Sequence, residues 1–211
     1  MEYDYKFKVA LVGDCRVGKT SLIKRYIHGN YSEQYNKTIA VAYYAKKFII
    51  NNKKIILDIW EVSGDPLYTT LIKGYLKNIQ GVILVYDVTN KESFKNINKW
   101  INIIEEIKTD KITYLLLANK IDKKVERVIN TDIGIRYSLK KKIVYLEVSA
   151  LKNITMFFLN KLTEYLLQDN CIEYQYKKIK TSKNLNTIAN VIEKNKKKKN
   201  DKVRWCDCSI L

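Results

Sequence analysis

The sequence predicts an α/β fold: a mostly parallel, six-stranded sheet with helices on both faces. Apolar runs of strand length alternate with amphipathic stretches of helical spacing along residues 5–168. Two of these runs, 81–87 and 112–118, are almost continuously apolar, as expected for strands buried on both faces. Sheets of this kind bind ligands at the carboxyl ends of their strands.

Periodicity and turn residues predict the elements in order. The predicted strands cover Phe7–Val12, Val41–Ile50, Lys54–Trp60, Gly81–Asp87, Ile112–Ala118 and Ile143–Val148. A hairpin-type turn at Asn51-Asn52 joins the second strand to the third. Helices are predicted over 20–26, 91–108 and 153–168. In the second helix, apolar residues recur on one side at Phe94, Ile97, Ile101, Ile104 and Ile107.

The composition predicts one globular domain, over residues 1–169, followed by a tail. The 211 residues, 46% of them hydrophobic, suffice for a single full core. No apolar run is long enough to cross a bilayer, and the first residues do not form a signal peptide. The four cysteines do not resemble a disulfide framework, so we expect a reduced, cytosolic protein.

A formal net charge of +17 is compatible with nucleic-acid binding. We attribute it instead to a composition rich in Lys, Asn, Ile and Tyr, and we predict no nucleic-acid partner. Residues 170–211 hold eleven basic and four acidic side chains, a balance of +7. We therefore expect a disordered basic tail there, which favours a membrane surface at least as much as a nucleic acid.

A phosphate-binding loop follows the first predicted strand. Its sequence, Gly-Asp-Cys-Arg-Val-Gly-Lys-Thr, fits the G-x-x-x-x-G-K-[ST] pattern. Backbone N–H groups of such a loop and the dipole of the following helix hold phosphates, the lysine binds their oxygens, and the threonine hydroxyl binds Mg²⁺. The predicted phosphate contacts are Gly13, Asp14, Cys15, Arg16, Val17, Gly18, Lys19, Thr20 and Ser21.

A second motif, Asn119-Lys120-Ile-Asp122, follows a buried strand and selects the base. An Asp carboxylate accepts hydrogen bonds from guanine N1–H and from the exocyclic amine, a pair of donors that adenine lacks. Leaving that acid unpaired penalises the wrong base. Alone, the motif is a weak match, but its place after a strand and after a phosphate loop makes it specific for a guanine nucleotide.

With both motifs present, residues 5–168 resemble the Ras superfamily of small GTPases, and within it the Rab family. The resemblance rests on the phosphate loop, the base motif, Ile59-Trp60 and the segment Leu84–Thr89. The stretch Gly81–Thr89, residues 119–123 and the Cys-Ser-Ile-Leu end look most like the Rab subgroup numbered eighteen. The resemblance implies a P-loop GTPase G domain that binds GTP or GDP with Mg²⁺.

The resemblance also implies roles for residues outside the two motifs. Tyr31 corresponds to an aromatic residue that packs against the base, and Ser149-Ala150 to the last base-contacting loop. Thr38 corresponds to the switch I threonine, which meets Mg²⁺ and the γ-phosphate, and Gly64 to the switch II glycine. The implied metal ligands are Thr20, Thr38 and, through water, Glu61; the implied catalytic set is Lys19, Thr38, Gly64 and Asp65.

Switch II departs from the family pattern Trp-Asp-Thr-Ala-Gly-Gln-Glu. Glu61 replaces an Asp, Asp65 replaces the Gln that orients the attacking water, and Pro66 follows it. An ionised Asp is shorter, only accepts hydrogen bonds and repels the γ-phosphate. Pro66 restricts the backbone of the residue before it. We therefore expect intrinsic GTP hydrolysis well below the family norm.

Two further departures concern the phosphate loop and switch I. Arg16 stands where a small residue is common, and we favour a solvent-facing side chain over an arginine that stabilises transition-state charge. Ala40 and Ala42 replace the usual Gly and Asp of the effector-facing segment, so partner identity does not carry over.

The chain ends in Cys208-Ser-Ile-Leu, a C-a-a-X motif whose leucine predicts geranylgeranylation of Cys208, with Cys206 as a second candidate for lipidation. The family implies a monomer served by an exchange factor, a GTPase-activating protein, a GDP-dissociation inhibitor and effectors. The implied location is the cytoplasmic face of endoplasmic reticulum, Golgi or lipid-droplet membranes, with cycling through the cytosol. The alternatives are a GTP-locked scaffold, a P-loop kinase and a nucleic-acid binder.

Overall fold

In the computed structural model, six strands form one sheet with helices on both faces. The structure describes residues 3–32, 37–107, 111–154 and 157–167, so the predicted tail, with Cys206 and Cys208, lies outside the described residues. The strands are β1 (Tyr5–Val12), β2 (Val41–Ile50), β3 (Lys53–Val62), β4 (Gly81–Asp87), β5 (Thr113–Asn119) and β6 (Val144–Glu147). The α-helices are α1 (Lys19–His28), α2 (Thr69–Tyr75), α3 (Lys91–Lys95), α4 (Ile97–Glu105), α5 (Thr131–Lys141) and α6 (Phe158–Leu167).

The strand order is β2-β3-β1-β4-β5-β6, and β2 with β3 is the antiparallel pair. The other neighbours pair in parallel, so the carboxyl ends of β1, β3, β4, β5 and β6 meet at one edge of the sheet. This confirms the predicted fold class. The loops that follow those five strands carry the predicted motifs, as expected for a doubly wound sheet.

The sheet is the middle layer between two hydrophobic clusters. Val9 and Leu11 of β1 belong to one cluster, which includes buried residues of α1 and α6. Ala10 and Val12 belong to the other, which includes buried residues of α2 and α4. All four residues are fully buried, because alternate side chains of a strand point to opposite faces and both faces are covered.

Three helical segments differ from the sequence-based expectation. The helix predicted over 91–108 consists of α3 and α4, which meet at Asn96. Helices α2 and α5 were not predicted, and each contains a glycine, a poor helix former. In α5 this residue is Gly134, where a Cβ would lie 2.7 Å from the ring of Tyr145. Close packing against β6 therefore requires glycine at a position where helix propensity disfavours it.

Candidate nucleotide site

The loop between β1 and α1 has a backbone that only particular residues adopt easily. Gly13 and Gly18 have φ values of 145° and 95°, in the region that favours glycine. A Cβ at Gly13 would lie 2.3 Å from the carbonyl oxygen of Val85 in β4, so the close approach of the loop also requires glycine. Arg16 has a φ of 63°, also in the left-handed region, and its side chain is exposed, as predicted.

The amino end of α1 is arranged to receive an anion. It begins after Gly18 with no side-chain cap among the described residues, and its first turn contains no acid. The uncapped N–H groups and the helix dipole therefore favour a negatively charged ligand.

Lys19 lies at the centre of the loop and is only 6% exposed. Its Nζ donates to the carbonyl oxygens of Gly13 and Asp14, at 2.7 and 2.8 Å. Burial lowers the pKa of Lys19 to about 8, and the nearby carboxylate of Glu61 opposes this shift. The ammonium is therefore held against the loop backbone, where the motif predicts that phosphate oxygens bind.

Three oxygen-bearing side chains from separate elements meet beside Lys19. Thr20 Oγ1 of α1 lies 3.1 Å from Thr38 Oγ1 of the loop before β2. Glu61, fully buried near the end of β3, accepts hydrogen bonds through Oε1 from Thr20 and, at 3.3 Å, from Thr38. Its other oxygen, Oε2, accepts from the Tyr44 hydroxyl at 3.3 Å. The structure thus brings together the three residues that the resemblance assigns to the metal.

Gly64 packs directly on the phosphate loop. A Cβ at this position would lie 2.2 Å from the carbonyl carbon of Asp14 and 2.3 Å from the amide nitrogen of Cys15. Next to it, Ser63 N donates to the carbonyl oxygen of Ala40 at 2.8 Å, which ties the loop after β3 to the loop before β2. Both loops therefore converge on the phosphate loop.

An ion pair that the sequence does not reveal also joins these two loops. Lys37 Nζ lies 2.5 Å from Asp65 Oδ2, while Oδ1 of Asp65 accepts from Leu67 N at 3.0 Å. The hydrogen bond with Lys37 holds the pKa of Asp65 below its usual value of 3.8, and the same bond raises the pKa of Lys37. Asp65 is thus ionised and bound through both oxygens, with its charge balanced by Lys37.

The predicted base motif closes the other end of the site. Asn119, at the end of β5, is buried, and its Nδ2 donates to the carbonyl oxygen of Val17 at 2.8 Å. Its Oδ1 has no hydrogen-bond partner among the residues that the structure describes. Lys120 adopts a φ of 65° and pairs with Asp87 at 2.6 Å, and Asp122 accepts a hydrogen bond from Ser149 Oγ. An unpaired buried oxygen of this kind is costly unless a ligand donates to it.

A cleft of about 720 Å³ runs between these two ends. Asn30 and the half-buried Tyr31 contribute to its wall near His28. The predicted site residues that line it are Cys15, Arg16, Gly18, Lys19, Thr20, Ser21, Tyr31, Thr38, Glu61, Gly64 and Lys120. The predicted site residues that do not line it are Gly13, Asp14, Val17, Asp65, Asn119, Asp122, Ser149 and Ala150.

Asp14 shows why some loop residues do not face the cleft. Its carboxylate accepts from Asn96 Nδ2 at 2.8 Å and from Trp100 Nε1 at 2.9 Å, so it is directed towards α4. Only the backbone of Asp14 is left to serve a ligand. Sequence reasoning missed Asn96 and Trp100, because nothing in their own segment marks them as partners of a loop more than 80 residues earlier.

The hydroxyls of Thr20 and Thr38 and the carboxylate of Glu61 suit a Mg²⁺ ion that also binds phosphates. They suit less well a metal ion whose ligands all come from the protein. Among the described residues, no group of three or more His, Cys, Asp or Glu side chains could hold a metal. One carboxylate and two hydroxyls are instead what Mg²⁺ uses when phosphates and water complete its shell.

In the described part of the chain, no helix has the length and apolar character needed to cross a membrane.

Fold and site together define an α/β nucleotide-binding protein of the P-loop class, in which two loops meet at the phosphate end of the cleft. The family model described as the Ras family matches residues 8–168. The chain therefore belongs to the Ras family of small GTPases.

Curated relatives at about one third identity extend over most of the chain. The GTP-binding protein YPT1 of Saccharomyces cerevisiae is 35% identical over 182 residues, which cover 84% of this chain and 88% of the yeast protein. The Ras-related protein Rab-1 of Theileria parva is 34% identical over 191 residues, 90% of this chain and 87% of its own length. YPTM2 of Zea mays, another GTP-binding protein by name, is 36% identical over 154 residues, 73% and 75% of the two chains. Within the Ras family the similarity is thus to Rab-like proteins.

Proposed function

We propose that this protein is a Rab-like GTP/GDP switch that acts in traffic between intracellular membranes. The observation that carries the proposal is the convergence of Thr38 and Gly64 on the phosphate loop. A γ-phosphate bound there would contact both loops at once, and its loss would release them. The similarity to YPT1 and Rab-1 supports this assignment.

We assign the phosphates of the nucleotide to the loop of residues 13–18, Lys19 and the amino end of α1. Mg²⁺ would be held by Thr20, Thr38 and Glu61, and it would neutralise phosphate charge and align the phosphates when bound. The uncapped helix and the buried Lys19 support this assignment, because both favour an anion in the cleft.

We assign the guanine base to Asn119, Lys120, Asp122, Ser149, Ala150 and Tyr31. The bond from Ser149 orients the Asp122 carboxylate, which would accept from guanine N1–H and the exocyclic amine. The bond from Asn119 Nδ2 to the carbonyl oxygen of Val17 ties this end of the site to the phosphate loop. GTP and GDP should therefore bind much more tightly than ATP and ADP.

We further propose that intrinsic hydrolysis is slow because Asp65 cannot do the work of a glutamine amide. Both of its oxygens already accept hydrogen bonds, from Lys37 and from Leu67 N, and a carboxylate has no N–H to donate. The sequence suggested that Asp65 repels the γ-phosphate. The ion pair weakens this repulsion, because Lys37 balances the negative charge of Asp65. The missing donor and the fixed side chain are the stronger reasons for a low rate.

The test is single-turnover hydrolysis of GTP by the wild type and by Asp65→Gln. We expect the Gln variant to hydrolyse GTP at least about tenfold faster, which corresponds to about 1.4 kcal/mol of activation free energy. The matched control is Lys37→Ala, which frees Asp65 without restoring a donor and should not raise the rate. A wild-type rate typical of the family, unchanged in Asp65→Gln, would contradict slow hydrolysis.

The second candidate function is a GTP-locked scaffold that recruits partners to a membrane. The observation that favours it is again the Asp65 carboxylate, which is bound through both oxygens. The nucleotide that co-purifies with the protein separates the two functions. Mostly GDP supports the switch, whereas mostly GTP with no measurable turnover supports the scaffold.

We propose partners only as classes: an exchange factor, a GTPase-activating protein, a GDP-dissociation inhibitor and effectors. The Rab subgroup numbered eighteen is the finer assignment that we propose from the sequence resemblance, and with it endoplasmic reticulum, Golgi or lipid-droplet membranes. A geranylgeranyl group on Cys208, helped by Cys206 and the basic tail, would attach the protein there.

A further inference from the structure

Three side-chain oxygens meet beside Lys19, close enough together to contact one metal ion. Thr20 Oγ1 and Thr38 Oγ1 lie 3.1 Å apart, Thr38 Oγ1 lies 3.3 Å from Glu61 Oε1, and Thr20 Oγ1 is in contact with the same carboxylate oxygen. An octahedral Mg²⁺ binds its ligands at about 2.0–2.1 Å, which places neighbouring oxygens about 3 Å apart. The two distances from Thr38 therefore match the spacing of neighbouring ligands in a coordination octahedron, whereas the contact between Thr20 and Glu61 is that of a hydrogen bond.

Glu61 can reach this position because it is one methylene longer than the aspartate that the family pattern places here. It sits near the end of β3 opposite Ala42 of β2, and it is fully buried. The Tyr44 hydroxyl holds Oε2, so Oε1 is the oxygen that remains directed at the two threonine hydroxyls. Burial and this hydrogen bond fix the rotamer of the carboxylate before any metal binds.

We propose that Glu61 Oε1 binds Mg²⁺ directly, in the place of the water molecule through which the family's aspartate would act. This inference rests on the proposed function, since it concerns the metal of the nucleotide complex. The two hydroxyls contribute no formal charge, so direct binding by Glu61 adds the protein's one negative ligand to the shell. Fewer water ligands remain on the metal as a result.

The structure also explains how Glu61 can exchange its hydrogen bonds for a metal bond. In the absence of metal, both hydroxyls donate to Oε1, and the carboxylate is satisfied. A cation between the three oxygens would take over the lone pairs of all three, while the hydroxyl protons turn away.

The experiment counts metal-bound water in the nucleotide complex. Mn²⁺ replaces Mg²⁺ in the full chain loaded with a non-hydrolysable GTP analogue, and EPR line broadening in ¹⁷O-enriched water gives the number of water ligands. We expect one fewer water in the wild type than in Glu61→Asp. The matched control is Glu126→Asp, an exposed carboxylate that pairs with Lys123, which should keep the wild-type number.

Equal water counts in the wild type and Glu61→Asp would overturn direct binding by Glu61. If Glu61→Asp does not fold, the wild type alone still decides. ENDOR of the Mn²⁺ complex, on protein carrying ¹³C in the glutamate side-chain carboxyl groups, should show a resolved coupling to a directly bound carboxylate. Its absence would overturn the inference. A failure of the proposed nucleotide binding looks different, since no nucleotide-dependent Mn²⁺ signal would then form in any variant.

Discussion

Ala40 is a single residue in a backbone conformation that suits glycine better. Its φ is 51°, in the left-handed region, and its carbonyl oxygen accepts from Ser63 N. An L-residue with a Cβ pays about 1–2 kcal/mol in this region. The bond to Ser63 and the start of β2 immediately after Ala40 keep the residue there.

We predict that Ala40→Gly raises the free energy of unfolding by about 1 kcal/mol, because glycine adopts this φ without the steric penalty. Urea unfolding of the nucleotide-bound protein measures the change. The control is Ala42→Gly, inside β2 at an ordinary φ, which should lower stability by about 0.5–1 kcal/mol. A loss of stability in both variants would show that the strain at Ala40 is not relieved by glycine.

Gly64 is a position at which a single added methyl group should be harmful. The added Cβ of Gly64→Ala would lie 2.2 Å from the backbone of Asp14, so the loop after β3 must move away from the phosphate loop. We expect a loss of about 1–3 kcal/mol of stability and a lower ratio of GTP to GDP affinity. Thermal unfolding and nucleotide titration measure the two effects.

The companion control is Gly74→Ala in α2, where an added Cβ meets nothing within 4 Å. This variant should gain about 0.5–1 kcal/mol, because alanine favours the helix. Unchanged GTP preference in Gly64→Ala would refute the proposed role of Gly64 next to the γ-phosphate.

At the scale of elements, the pair between Lys37 and Asp65 links the loop before β2 to the loop after β3. We predict positive coupling between the two residues in a double-mutant cycle of Lys37→Ala and Asp65→Ala. The readout is the rate at which labelled GDP dissociates, and the coupling should shrink as salt is added. Lys95→Ala, which breaks a surface pair with Glu92 on α3, serves as the control and should leave dissociation unchanged.

The same coupling should be insensitive to pH near neutrality. The raised pKa of Lys37 means that its contribution is present below 10.5 and is lost only as the pH rises further. The lowered pKa of Asp65 means that its contribution is present above 3.8 and is lost only as the pH falls further. Both groups stay charged between these limits, and a marked change in coupling between pH 6 and 8 would contradict the ion pair.

At the scale of the whole molecule, we propose that the tail determines where the protein works. We predict that Cys208→Ser moves most of the protein from membrane to cytosol in cell fractionation, and that the double variant with Cys206→Ser moves the rest. A single chain anchors weakly and needs a second signal, which the basic residues or a second lipid supply. Cys171→Ser, which lies before the basic runs, should fractionate like the wild type. Membrane retention of the double variant would refute lipid anchoring.

The strands of the sheet were largely predictable because their signals are periodic and local. Continuous apolar runs identified β4 and β5, and the asparagine turn identified the hairpin of β2 and β3. Helix α5 was not predicted, because Gly134 lowers the helix propensity of this segment. Glycine is required there by the close contact with Tyr145. Nothing near Gly134 in the sequence identifies that partner.

The sequence by itself indicated the class of ligand, because the phosphate loop and the Asn-Lys-x-Asp motif are each a short contiguous stretch of the chain. Tertiary structure alone decided what Asp65 and Glu61 contact. Lys37 and Asp65 are 28 residues apart in the chain, and Glu61 meets Thr20 across 41. Such contacts depend on how the sheet brings the carboxyl ends of β1 and β3 side by side. In the folded protein, Asp65 therefore forms an ion pair between two loops, and Glu61 becomes a candidate metal ligand. Both residues are departures from the family pattern.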